Sequence, residues 1–141
     1  MNKKKVFVSF DWDNDKQYKF ILEAWNANSG FEFSFNDYSS AEINSSDIST
    51  VKAALTRKIN TATHTLVIVG KEANKKHTDS DKIGYKNWLN FEIAKSKDNG
   101  NKLVAVKLSS ENESPEKLLD SGASLVIGFS EDKIIKALND A

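Results

Sequence analysis

The chain has no cysteine, one proline, one methionine and, among its 20 basic residues, one arginine, Arg57. Without cysteine there can be no disulfide framework and no thiolate metal site, and a reducing compartment is the natural home, so a cytoplasmic location is expected. A lone arginine, with 20 cations balanced by 20 anions, leaves neither a basic field nor the bidentate fork that reads phosphate and guanine; no nucleic-acid partner is expected. Long apolar runs are also missing. The basic start at residues 1–5 is followed by an apolar run, 6–10, that ends at Asp11. That run is too short for a signal peptide or a membrane span, so no membrane partner is expected. Neither G-x-G-x-x-G nor a Walker loop occurs, and no Ser-His-Asp group can be argued from the spacing of the two histidines, His64 and His77.

What remains is ordinary globular material. At 141 residues, 39% apolar and 28% charged, the sequence suits a single domain, 1–141, with a sizeable core. Residues 5–10 read as a strand buried on both faces. Tyr18, Ile21, Leu22 and Trp25 then recur at helical spacing behind Asp11, Asp13 and Asp15, one of which caps the helix. Phe31, Phe33 and Phe35 alternate with polar residues in a second strand placed at a sheet edge. A polar loop, 36–46, leads to a helix at 47–60, capped by Ser46 or Asp47, with Ile48, Val51, Leu55 and Ile59 on one face. A third strand at 65–69 stops at Gly70. The polar connection 71–84 has few apolar anchors and is expected to be open and fast-exchanging. Strands at 102–108 and 124–129, a short helix at 115–120 and a closing helix at 131–139 complete the chain. Five alternations of strand and helix predict an α/β fold: a flavodoxin-like, five-stranded parallel sheet with helices on both faces, strand one central and strand two at an edge. Ligands of such sheets bind beyond the carboxyl ends of the strands where the order reverses, here between strands one and three. That point would gather residues 10–13, Gly70 and the helix after strand three.

Against this layout the calcium-loop and receiver motifs fail, and a phosphatase stays as an alternative. Asp11, Asp13 and Asp15 imitate a calcium loop, but Lys16 stands where glycine is needed and Leu22 where a bidentate glutamate is needed. A receiver domain needs a phospho-accepting aspartate where strand three ends in Gly70. A magnesium-dependent phosphatase would have to complete its site with Glu131 and Asp132, which look like helix capping. Asp13 and Asp15 read as a solvated helix start. Residues 77–81 read as a hydrated charge cluster, and no metal site is assigned.

The stretch 85–98 is the most informative. Wound as a helix, at about 100° per residue, it gathers Tyr85, Trp88, Leu89, Phe91 and Ile93 on one apolar arc and puts Asn87, Asn90, Ala94, Lys97 and Asp98 on the wet side. Glu92 falls inside the apolar arc. Taking an ionised carboxylate out of water costs several kcal/mol unless it is paired, protonated or facing a cleft. Glu92 is therefore either a core carboxylate bonded to neighbouring backbone or a wall of a ligand pocket flanked by Trp88 and Phe91. The stretch alone does not choose.

Val6-Phe7-Val8-Ser9-Phe10-Asp11, Asn36-Asp37-Tyr38-Ser39, residues 65–70 and above all Trp88-Leu89-Asn90-Phe91-Glu92-Ile93 together resemble the TIR-like proteins of bacterial Thoeris antiphage systems. The resemblance runs in order over nearly the whole chain. It implies a TIR-like fold and an enzyme that takes NAD as substrate, with no separate cofactor. Nicotinamide would be released and the remainder closed to a cyclic ADP-ribose isomer, a messenger for a separate effector protein. It further implies an activating cue derived from the phage and a homo-oligomer on activation. In catalytic TIR domains a glutamate contacts the ribose beside the nicotinamide bond, and Glu92 matches that position. Phe10, Asp11, Trp12, Tyr38 and Trp88 are the accompanying candidates for substrate binding. The connection between Gly70 and Trp88 is longer than the family's usual spacing. Two rival readings stand beside this one: a non-catalytic TIR-like interaction module, docking partners through loop 36–46, and the phosphatase-like domain.

Overall fold

The computed structural model describes residues 4–26, 33–36 and 47–141. In chain order the elements are β1 (Lys4–Ser9), α1 (Trp12–Asn26), β2 (Phe33–Asn36), α2 (Ile48–Asn60), β3 (His64–Val69), α3 (Ser80–Ile83), α4 (Trp88–Asp98), β4 (Lys102–Lys107), a 3-10 turn (Glu116–Leu118), β5 (Ser124–Ile127) and α5 (Glu131–Asp140). The strands are all parallel, in the order β2-β1-β3-β4-β5. Four of them, β1, β3, β4 and β5, form the body of the sheet. The expected fifth, β2, is a four-residue edge strand like β5, paired with β1 from Lys4↔Phe33 to Phe7↔Asn36. The middle position belongs to β3, with β1 one place nearer the edge. Phe31, expected in the second strand, lies outside the described residues.

Strand alternation divides the core into two layers. Val6, Val8, Phe10, Leu66, Ile68, Val104 and Val106 face Leu22 of α1 and Ile134 and Leu138 of α5. On the other face Phe7 packs with Val51, Leu55 and Ile59 of α2 and Phe91 of α4, while Val67, Val69 and Ala105 meet Leu89 and Ile93. β3 is buried at every position, as a parallel strand covered by helices on both sides must be.

Several local expectations are corrected. Ile21 is 40% exposed and only Leu22 of the first helical stripe is fully buried, with Tyr18 and Trp25 packing partly around Phe129. The short helix expected at 115–120 tightens to the 3-10 turn after Pro115. The connection 71–84 is anchored: Ala73, Asn74 and Ile83 are buried, α3 interrupts it, and the His77 N–H donates to the Lys86 carbonyl at 2.8 Å. The helix expected from residue 85 starts at Trp88, with Asn87 as N-cap. Asn87 and Asn90, expected on the wet side, are buried, because they tie this connection to α4. Among the described residues no helix is long and apolar enough to cross a membrane.

Candidate functional site

Glu92 lies in the second turn of α4, on the side facing β1, and is 1% exposed. Burial pushes its carboxyl group up to about 8, an effect that the nearby Ser9 hydroxyl only partly offsets. At neutral pH the side chain is therefore mainly the uncharged acid, which is how a protein avoids the cost of a buried charge. Ser9 and Glu92 face each other at the edge of hydrogen-bond range: the Ser9 hydroxyl is close enough to offset part of the burial effect, yet neither Ser9 Oγ nor Glu92 Oε1, both buried, has a well-formed hydrogen-bond partner. The reading of Glu92 as a carboxylate satisfied by backbone is thus not met at Oε1.

Ser9 ends β1 opposite Val67 of β3, so this pair sits toward the carboxyl end of the two strands where the order reverses. Three residues further along β3 comes Gly70. A methyl group there would lie 2.7 Å from both Cγ and Oδ1 of Asp15, so the absence of a side chain lets the first turn of α1 close over the strand end. Asp15, expected to be solvated, is instead buried. Burial, followed by the charges of Asp11 and Glu72, pushes its carboxyl group up to about 6. Its Oδ2 is the third buried, unpartnered polar atom. Asn14 holds the flanking acids in place, its Nδ2 donating to Asp11 Oδ2 at 2.6 Å and to Glu72 Oε2 at 2.8 Å.

The other candidates scatter. Phe10 is buried in the layer facing α1 and α5, across the sheet from Glu92. Asp11 sits at the start of α1, where its carbonyl accepts the Asp15 N–H at 2.7 Å, while Trp12 opens the helix with its side chain outside the described set. Tyr38 also lies outside the described residues. Trp88 opens α4 and packs edge-on to Phe91 at 5.6 Å, as Tyr85 does at 5.8 Å. The aromatic pair thus builds the α2–α4 layer beside Glu92. His64 is buried with its pKa lowered, chiefly by burial and then by Lys4, and begins β3, at the opposite end from Gly70. His77 Nδ1 accepts the Asp79 N–H at 2.9 Å, a local turn bond. Among the described residues no three His, Cys, Asp or Glu side chains are placed to hold a metal ion. The sequence did carry a signal for Ser9, a polar residue inside an otherwise apolar strand. It carried none for the burial of Asp15, which depends on Gly70 meeting α1.

The family described as Thoeris protein ThsB, TIR-like domain, matches residues 7–113. The chain belongs to that family. The matched span covers the end of β1 and all of α1, β3 and α4, hence Ser9, Asp15, Gly70 and Glu92. This Thoeris membership makes the protein a TIR-like protein of antiphage defence, and the parallel α/β sheet is consistent with a TIR-like fold. No curated protein shows significant similarity to the chain.

Proposed function

We propose that this Thoeris TIR-like protein cleaves NAD, releasing nicotinamide, and closes the ADP-ribose portion to a cyclic isomer that signals to a separate effector. One observation carries the reading: a fully buried acid on α4, Glu92, with an unpartnered Oε1 beside Ser9 toward the carboxyl end of β1. Buried polar atoms without partners are rare in folded proteins and concentrate where chemistry is done.

Cleavage breaks the bond between C1′ of the ribose and the ring nitrogen of nicotinamide, and the electron pair leaves with nicotinamide. Positive charge develops on the sugar, and an ionised Glu92 beside it stabilises the transition state more than the ground state. Glu92 is mainly protonated in the free chain, but a cationic nicotinamide ring beside it favours the ionised form. A hydroxyl of the same molecule, held as internal nucleophile, then attacks C1′ and gives up its proton. Once the departing nicotinamide is neutral, the burial that raises this carboxyl group to about 8 in the free chain makes the ionised Glu92 basic enough to take that proton near neutral pH.

The test is nicotinamide release from NAD by protein purified from phage-challenged cells. Glu92→Gln, which keeps the shape and removes the charge, should lower turnover by roughly 10²–10³-fold, the scale for loss of one electrostatic stabiliser. Turnover retained by the variant would overturn the assignment. The complete burial of Glu92 favours one alternative, a non-catalytic interaction module in which the neutral acid is scaffold. Challenged wild-type protein that releases no nicotinamide would favour that module.

A further inference from the structure

Among the described residues, only three buried side-chain polar atoms lack a hydrogen-bond partner: Ser9 Oγ, Asp15 Oδ2 and Glu92 Oε1. They belong to three separate elements, yet all lie around the carboxyl ends of β1 and β3. Ser9 is the last residue of β1, Glu92 reaches it from α4, and Asp15 lies against Gly70, the residue after β3. The two acids come from opposite faces of the sheet, because α1 packs on the layer of Leu66 and Ile68 and α4 on that of Val67 and Val69. A chain that only needed to fold would pair such atoms or replace them with apolar ones.

We infer that Asp15 holds the ligand on the far side of the strand ends from Glu92, accepting a hydrogen bond from an uncharged, donor-bearing part of the dinucleotide. This rests on the NAD reading and adds the chemistry of the second half of the site. Asp11 and Glu72 stand beside Asp15, and both are clamped by Asn14. Lys75 pairs with Glu72 at 3.6 Å, at an exposed position. Three neighbouring carboxylates repel a pyrophosphate and favour ribose hydroxyls or amide and amine N–H groups. Gly70 fixes the geometry, since any side chain there displaces the Asp15 carboxylate. Both acid oxygens are shut off from bulk water, so the ligand reaches them by displacing what covers them and meets them in a water-poor setting, where such bonds count most.

The experiment is NAD binding by calorimetry to the full chain. Asp15→Asn keeps the shape and removes the charge. It should weaken binding by about tenfold to a hundredfold, the scale of one charge-assisted hydrogen bond, without lowering the melting midpoint. Wild-type affinity should fall as pH drops below about 6, where Asp15 protonates, and the variant should lose that dependence. Gly70→Ala, which moves the carboxylate instead of neutralising it, should also weaken binding. If Asp15→Asn binds NAD as tightly as wild type at every pH while Glu92→Gln abolishes turnover, the inference is overturned and the NAD reading stands. If wild type neither binds NAD nor releases nicotinamide, that reading falls and the role of Asp15 falls with it.

Discussion

Two of the buried polar groups on helix α4 are of opposite character. At its start, Asn87 and Asn90 are saturated. Asn87 Nδ2 donates to the carbonyls of Ala73 and Lys75 at 2.8 and 2.9 Å, and its Oδ1 accepts the backbone and side-chain N–H of Asn90, both at 2.9 Å. Asn90 Oδ1 accepts the Lys117 N–H at 2.9 Å. Asn74 completes the set, donating to Glu113 at 2.7 Å and accepting from the Glu116 N–H at 3.0 Å and from Asn90 at 3.3 Å. Half a turn further on, Glu92 keeps an oxygen with no partner. Both groups are shielded from water, so burial does not separate scaffold from site. Hydrogen-bond satisfaction does: the asparagines hold two connections against the start of the helix, whereas Glu92 Oε1 has no well-formed partner.

The largest effect expected on stability comes from the saturated side. Asn90→Ala leaves Asn87 Oδ1, Asn74 Oδ1 and the Lys117 N–H each short of a partner, and should cost roughly 3 kcal/mol. Chemical denaturation would register this as a lower midpoint at unchanged slope. An Asn90→Ala protein as stable as wild type would erase the contrast between the two groups.

A smaller effect, with a characteristic pH dependence, is expected from Glu92. Its folded-state pKa of about 8 lies above the ordinary 4.5, so between those values the folded chain keeps a proton that the unfolded chain has lost. Stability therefore falls as pH rises through that window. Asp15 acts in the same sense but only up to about 6. His64, whose pKa is lowered from 6.5, acts in the opposite sense, with stability lost as pH falls below 6.5. Between pH 6.5 and pH 8 Glu92 dominates, and the difference between wild type and Glu92→Gln cancels the remaining contributions of Asp15 and His64. Wild type should lose about 2 kcal/mol more than Glu92→Gln across this interval. Parallel stability curves would mean that Glu92 is paired and ionised after all.

The smallest effect concerns the connection that the asparagines hold. The amides of Ile83 and Gly84 donate to Asp79 and Ser80 at 2.9 and 2.8 Å, and Ile83 is fully buried. Hydrogen exchange at these two amides should be slower than at the exposed residues Lys71 and Glu72 in the free protein. Uniformly fast exchange would show that the saturated group does not hold this segment.

The periodicities were legible because they depend on local geometry alone. Alternating apolar and helical patterns placed β1, β3, β4 and α2 to within a residue or two, and the Asp47 cap with them, its side chain accepting the Ser49 N–H at 3.2 Å. Strand-helix alternation was enough for a parallel sheet, because parallel neighbours need a crossover between them. Glu92 stood out because one acid interrupted an apolar arc. Asn87 and Asn90 misled for the same reason that Glu92 did not: a polar residue on a polar face gives no sign that another segment will cover it. The wet side assigned to α4 became an interior surface when residues 73–75 and 116–117 folded across it.

The sequence by itself therefore determined the fold class, the family and the anomaly at Glu92, all of which rest on residue order and short-range spacing. Only the tertiary structure decided which buried polar atoms find partners. It set Ser9 beside Glu92, closed Asp15 over Gly70 and left one oxygen on each of those three side chains unpaired. It also moved the two carboxyl groups toward neutral pH. The reason is physical: desolvation and hydrogen-bond satisfaction are properties of what surrounds an atom, and here the surroundings come from strands and helices tens of residues apart in the chain.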